Sequence, residues 1–235
     1  MPLRIAIGSG KGGTGKTTVA VNLALVATGE IQLLDCDVEE PNAHLFLRPQ
    51  IERRESVGIR VPEILADRCN GCGACGRLCQ YGAIAPIRPT PLVFPKLCHG
   101  CGGCRLVCEM DAIREQVREI GHVEIGHVQV GAGGLIRFAH GRLNIGEVSA
   151  PPLIRAVKGH AQGALTLIDA PPGTSCPVIE SVREADFVLL VTEPTPFGLH
   201  DLVLAVEMVR TLGLPCGVVI NRADLGSGDV RDYCA

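Results

Sequence analysis

The chain has 235 residues, 46% of them hydrophobic, which is enough apolar material for one medium domain with a buried core and a second, smaller one. Its formal net charge is −3, with acids and bases interspersed and no basic patch with interleaved aromatics, a pattern that argues against nucleic acid or an anionic membrane surface as partner. No apolar run reaches the roughly 18 residues of a membrane span, and the first apolar run has no charged leader before it, so a cytoplasmic protein is expected.

Leu3 to Ile7 is an apolar run that predicts a buried strand, and Val19 to Val26 predicts a helix. Between them lies GSGKGGTGKTT, from Gly8 to Thr18, in which Gly10, Gly15, Lys16 and Thr17 fit the G-x-x-x-x-G-K-[ST] phosphate loop. Backbone N–H groups of such a loop wrap an anionic polyphosphate at a helix N-terminus. The candidate cradle is therefore Gly10, Lys11, Gly12, Gly13, Thr14, Gly15, Lys16, Thr17 and Thr18. Lys16 is expected to reach the terminal phosphates and the Thr17 hydroxyl to hold Mg²⁺.

By the bare pattern Lys11 is a solvated loop lysine. As part of KGGTGKT it makes the loop resemble the deviant Walker A ATPases, the superfamily of MinD, ParA and the nitrogenase iron protein. The resemblance implies that Lys11 reaches the nucleotide of a partner subunit, and hence an ATP-dependent homodimer.

The next strand, Ile31 to Asp37, ends in two carboxylates, Asp35 and Asp37, and the carboxyl ends of strands in α/β sheets are where ligands sit. On residues alone DVEEPNAH is a strand-end turn. The resemblance makes it switch I, with Asp37 orienting the attacking water and Asn42 near the nucleotide. Residues 48 to 64 are mixed, with no clear period.

The composition then changes. CNGCGACGRLCQYGAI, from Cys69, is followed by CHGCGGCRLVCEMDAI, from Cys98, with every cysteine 29 residues from its counterpart. Each half reads C-x₂-C-x₂-C-x₃-C, the spacing of two-cluster bacterial ferredoxins, in which the fourth cysteine ligates the other cluster. The pattern assigns Cys69, Cys72, Cys75 and Cys108 to one [4Fe-4S] cluster, and Cys98, Cys101, Cys104 and Cys79 to the second. The competing reading is two Cys₄ zinc sites, which favour paired C-x₂-C elements with a longer spacer. The proline that usually follows the fourth cysteine is Gln80 in one half and Glu109 in the other, which bears on the packing beside each cluster and so on its potential. Arg77 and Arg105 lie inside the loops and could bias the potentials too. Cys36, Cys176, Cys216 and Cys234 are singletons, expected to be small buried side chains.

Gly121 to Val130 and Leu135 to Ile145 suggest strands joined by a turn at Gly131–Gly134, and Pro151-Pro152 opens a helix through Val157. Ala164 to Ile168 is a strand ending at Asp169, followed by APPG, which resembles the D-x-P-P-G of Walker B and switch II. The resemblance gives Asp169 to Mg²⁺ through water and the Gly173 N–H to the γ-phosphate. Phe187 to Val191 is the next strand, EPTPFGLHD leads onto a helix, and Gly217 to Ile220 is a strand ending at Asn221. N-x-x-D at this point could read guanine; the resemblance is to ATP enzymes, where this Asn contacts adenine, so ATP is favoured and GTP kept open. DVRDYCA reads as the first turns of a helix, and family members usually continue further.

Together these imply an α/β fold with a doubly wound, mostly parallel sheet and an inserted small α+β ferredoxin-like domain carrying two [4Fe-4S] clusters. The expected partition is 1–58 and 117–235 for the ATPase domain and 59–116 for the insert. The function expected is an ATPase that couples nucleotide state to electron transfer to a redox partner. The alternatives are an iron-sulfur carrier or assembly ATPase, and a regulatory switch with structural or sensing clusters.

Overall fold

A computed structural model describes residues 2–235 except 132 and 227. Its chain divides into two compact units, one holding the residues through Glu55 with His122–Arg142 and Leu153–Ala235, the other Ser56–Gly121 with Leu143–Pro152.

The first unit is organised on parallel strands. β1 (Leu3–Ser9) is followed by the phosphate loop, α1 (Lys16–Val26) and β2 (Ile31–Asp35), whose five residues are all buried. Strands covered on both faces are mainly apolar rather than alternating, as in β2, where the polar exceptions Gln32 and Asp35 are both hydrogen-bonded. α2 (Ala43–Leu47) comes next, then β3 (Gln50–Ile64), which passes into the second unit at Ser56, and after the cysteine repeats β6 (Ile113–Val130), which returns to the first at His122, and β7 (Gly134–Leu143). The chain continues as α5 (Pro151–Lys158), β8 (Leu165–Pro172), α6 (Cys176–Val182), β9 (Phe187–Thr192), α7 (Pro196–Thr211), β10 (Cys216–Ile220) and α8 (Asp229–Cys234). The strand order is β10-β9-β1-β8-β2-β7-β6-β3, and every pairing from β10 to β7 is parallel. Ala20, Val21 and Ala24 of α1 pack on Ile7, Leu33, Phe138 and Leu167 to form its core.

Residues 48 to 64 depart from the sequence reading: most of them form the fifteen-residue β3 at the sheet edge. Its first half is exposed and charged, the composition that keeps an edge strand from pairing with other chains, and this hides the period-2 signal. Ser56 Oγ donates to Glu119 Oε2 at 2.8 Å, and His127 Nδ1 lies 2.7 Å from Glu52 Oε1, so numbers fall along β3 as they rise along β6 and the two run antiparallel. β6 likewise begins at Ile113, eight residues before the Gly121 expected. Of the Gly131–Gly134 turn, residue 132 lies outside the described residues.

In the second unit the repeat is visible in the backbone. Gly71 and Gly73 of the first half, and Gly100 and Gly102 of the second, all hold φ between 69° and 74°, the left-handed region a Cβ disfavours. Each loop then enters a short helix, α3 (Ala74–Leu78) or α4 (Gly103–Leu106). β4 (Ile84–Ala85) and β5 (Leu92–Val93) pair antiparallel between them. A small apolar cluster here consists of Cys75, Ile84 and Ile113, with Cys79, Cys104 and Cys108 packed against it.

Among the described residues no helix is long and apolar enough to cross a membrane.

Candidate functional site

The parallel register brings the carboxyl ends of three strands together. Asp169 on β8 stands opposite both Ile7 on β1 and Asp35 on β2, so the loop after β1 and the two aspartates share one edge of the sheet. Lys16 and Asp169 are both buried, with Lys16 Nζ 2.6 Å from Asp169 Oδ1. Thr17 Oγ1 donates to Asp169 Oδ2 at 2.7 Å. Gly15 holds φ 91°, and a Cβ there would meet Asn221 Nδ2 at 2.4 Å, so only glycine fits. Asn221 Nδ2 in turn donates to Thr14 O at 2.9 Å, which pins the strand-end asparagine to the loop.

The donor set fits a bound phosphate and its metal. α1 opens at Lys16 with no side chain capping its first turn, and buried Thr14 Oγ1 has no partner among the described residues. A phosphate would satisfy both needs. Thr17 and Asp169 supply the hydroxyl and carboxylate oxygens that suit Mg²⁺.

The segment that follows β2 is held by Asp35. This fully buried carboxylate accepts from the backbone N–H groups of Asp37 (3.1 Å), Asn42 (3.1 Å) and Ala43 (3.0 Å). Burial, with Asp169 close by, raises its pKa to about 7. Asp37 Oδ2 lies 3.9 Å from Lys16 Nζ, and burial pushes the Asp37 carboxyl up to about 6 against the pull of that lysine. Asn42 stands at the N-terminal boundary of α2 without a side-chain capping bond, and its buried Oδ1 has no partner among the described residues. The Gly173 N–H donates to Ser9 O at 2.8 Å, so a phosphate contact there requires that bond to be exchanged. Lys11 Nζ lies 2.5 Å from Glu193 Oε1, and Arg222 Nη1 is 3.1 Å from Glu193 Oε2.

The eight repeated cysteines fall into two groups. Cys69, Cys72, Cys75 and Cys108 line one small cavity, together with Ile64, Pro91 and Ile113. Cys79, Cys98, Cys101 and Cys104 line another, of about 200 Å³, with Leu78, Tyr81, Ile84 and His99. Tyr81 and His99 stack with ring centroids 3.8 Å apart. Burial raises the pKa of Cys75 and Cys98, and that of Cys104 to about 11. Thiols in such surroundings stay protonated until a cation takes them as ligands. Among the described residues no three His, Cys, Asp or Glu side chains converge tightly enough for a single ion. A four-iron cluster is larger than one ion, and its four thiolates stand correspondingly farther apart. Arg118 is ion-paired through Nη1 with Glu147, its buried Nε and Nη2 have no partner among the described residues, and its charge slightly favours the ionised form of Cys98.

The sequence model of the CobQ/CobB/MinD/ParA nucleotide-binding domain family matches residues 5–233. This chain belongs to that family. It is 34% identical over 232 residues to an uncharacterised protein of Methanocaldococcus jannaschii, covering 96% of this chain and 80% of the relative. An iron-sulfur cluster carrier protein of Synechocystis is 59% identical over 46 residues, 18% of this chain and 13% of that protein. The fold is that of the septum site-determining protein MinD of Pyrococcus horikoshii, solved with Mg-ADP. That structure superposes with a TM-score of 0.55 at 19% identity, over 99% of this chain and 77% of that one.

Within this MinD/ParA-like ATPase family member, two residues escaped the sequence reading. Glu193, the first residue of EPTPFGLHD, was passed over as part of a loop, although a carboxylate at a strand end facing a lysine-rich loop was a usable signal. His140 lies beside Asp35 in register, is 1% exposed, and bonds Glu124 Oε2 through Nε2 at 2.7 Å; an isolated histidine in an alternating strand carries no signal for that. Of the singleton cysteines, Cys36 is buried as expected, but Cys176 and Cys234 are exposed and Cys216 is half-buried. Cys176 opens α6 and Cys234 ends α8, and helix ends face solvent more readily than strand centres.

Proposed function

We propose that this chain is an ATP-binding and ATP-hydrolysing iron-sulfur protein that couples nucleotide state to electron transfer through two [4Fe-4S] clusters to a redox partner. The observation that carries the reading is the division of the eight cysteines between two cavities, each lined by three from one repeat and the fourth from the other. That division matches the crossed ligation expected of a two-cluster ferredoxin, in which each half of the repeat depends on the other. A unit whose apolar cluster draws half its members from cysteines also gains from metal staples.

In this reading residues 59–116 are the inserted ferredoxin-like domain, and 1–58 with 117–235 the ATPase domain. Lys16 and the loop N–H groups bind the phosphates of ATP, while Thr17 and Asp169 hold Mg²⁺. Asp37, ionised, orients the attacking water. Lys11 leaves Glu193 to reach the nucleotide of a second subunit, so that ATP pairs two chains. Asn42, Asn221 and Gly173 contact the nucleotide. When bound, each cluster supplies a one-electron carrier, and the cysteines fix its place. Location in the cytoplasm fits such oxygen-sensitive chemistry.

Anaerobic purification or reconstitution is expected to give about eight iron and eight sulfide per chain, reducible by dithionite, with ATP hydrolysis that Lys16→Ala abolishes. Stoichiometric zinc without sulfide would overturn the reading. The short match to the Synechocystis iron-sulfur carrier favours one second reading, a cluster-delivering ATPase. Incubation with an apo-ferredoxin separates the two: a carrier loses iron to it, and an electron-transfer protein keeps its clusters through repeated reduction.

A further inference from the structure

The chain-wide charge of −3 conceals a local reversal in the cysteine-bearing unit. A groove of about 630 Å³ there is lined by Arg60, Arg68, Arg105 and Arg114, with Asp111 and Glu115 as the acids among them. The four arginines have side chains 55% to 72% exposed. They are poorly neutralised. Arg105 Nη1 at 3.3 Å and Arg60 Nη1 at 3.8 Å share a single oxygen of Glu115, and Arg68 Nη1 stands 3.9 Å from Asp111. Only Arg114 has a close carboxylate of its own, Glu63, at 2.6 Å. A guanidinium carries five N–H donors in a planar fork, so most donors of this groove remain unspent.

The groove borders both cysteine cavities. Arg60 and Glu115 also line the cavity of Cys79, Cys98, Cys101 and Cys104, and Ile113 also lines that of Cys69, Cys72, Cys75 and Cys108. Arg68 immediately precedes Cys69 and Arg105 immediately follows Cys104. No lysine lines it. Protein interfaces favour arginine and disfavour lysine, because the planar fork binds carboxylates bidentately and gives up less hydration. Val117, 77% exposed, adds an apolar contact in the same groove.

We propose that this groove is the docking surface for an acidic redox protein. The inference rests on the electron-transfer reading and names the kind of partner that reading requires. Its openness favours a partner surface over a small anion, which would be held by more enclosed donors. Seated there, the carboxylates of the partner meet the arginines and its redox group lies beside the cluster ligands. One electron leaves a reduced cluster for each electron the partner gains.

The test uses the cluster-loaded chain, reduced anaerobically with dithionite and freed of excess reductant, and two probes: an acidic flavodoxin and a basic cytochrome c. Binding of the oxidised flavodoxin and the rate of its reduction are both measured as ionic strength is raised. Binding and rate are expected to fall roughly tenfold or more across the series, and cytochrome c to show the opposite trend. Arg60→Gln with Arg68→Gln, the two arginines farthest from a carboxylate, is expected to remove most of the salt dependence at unchanged iron content. Arg88→Gln with Lys96→Gln, which alters exposed cations outside the groove, is expected to leave it. Flavodoxin binding that ignores salt, or that both double variants weaken equally, would overturn the docking surface. Salt-dependent binding without electron transfer would support the surface and sink the electron-transfer reading.

Discussion

Lys16 Nζ sits 2.6 Å from Asp169 Oδ1, and this buried pair, with Thr17 on the other carboxylate oxygen, occupies the end of β8 where phosphate and metal are to bind. Breaking a buried pair by removing one partner leaves an uncompensated charge, at a cost of ~3 to 5 kcal/mol. Lys16→Ala is therefore expected to lower the melting temperature of the nucleotide-free protein as well as abolish ATP binding. Lys16→Ala with Asp169→Asn is expected to recover most of the stability and none of the binding. Calorimetry with nucleotide titration checks both.

Asp37 titrates at about 6 in the folded chain, because burial outweighs Lys16. Unfolded, it titrates near 3.9, so between these values the folded state binds the extra proton and stability falls as pH rises. The penalty is complete above about pH 6 and absent below about pH 4. Asp37→Asn is expected to stabilise the nucleotide-free protein at about pH 7.5 by ~1 to 3 kcal/mol, with the gain vanishing near pH 4. It is also expected to stop hydrolysis while sparing ATP binding. Thermal unfolding across pH measures the first effect and phosphate release the second.

Lys11 is held by Glu193, and that hydrogen bond keeps the Glu193 carboxyl below the usual range. A lysine needed by a second subunit must first leave this partner. Glu193→Gln is expected to tighten ATP-dependent pairing several-fold, and Lys11→Ala to abolish it. Sedimentation velocity with a non-hydrolysable ATP analogue reads the difference; unchanged pairing in Glu193→Gln would show that the contact does not restrain Lys11.

Cys79 belongs by sequence to the first repeat and by position to the cavity of Cys98, Cys101 and Cys104. Cys79→Ser is expected to perturb or convert that cluster and leave the one at Cys69, Cys72, Cys75 and Cys108 intact. Cys108→Ser is expected to do the reverse. Electron paramagnetic resonance of the reduced variants distinguishes the two centres.

The nucleotide edge was legible because its signals are local: a glycine loop between a strand and a helix, and aspartates closing apolar strands. The parallel strands, buried on both faces, announce themselves as mainly apolar runs, as in β9. What was not legible depends on pairing between distant segments. β3 carries Glu52, Arg53, Arg54 and Glu55 in a row and shows no clear period in the sequence, yet β6 holds it in place through Ser56 and Glu52. The partnership of Lys11 with Glu193 spans 182 positions and has no trace in either segment alone. The cysteines are the opposite case. A 29-residue repeat is visible without any structure, and the division of its cysteines between two cavities follows the spacing.

On the electron-transfer reading, nucleotide state and cluster potential are one coupled system. Coupling is reciprocal, so a nucleotide that shifts a potential must have its own affinity shifted by reduction to the same free energy, typically ~1 to 3 kcal/mol. For a one-electron couple 1.4 kcal/mol is roughly 59 mV. The decisive measurement is an anaerobic redox titration of the cluster-loaded chain without nucleotide, with ADP, and with a non-hydrolysable ATP analogue, with Lys11→Ala as the control for pairing. The analogue is expected to shift at least one potential by several tens of millivolts relative to ADP, in wild type and not in Lys11→Ala. Identical potentials in all three states, with identical rates of electron delivery to an acceptor, would contradict that coupling.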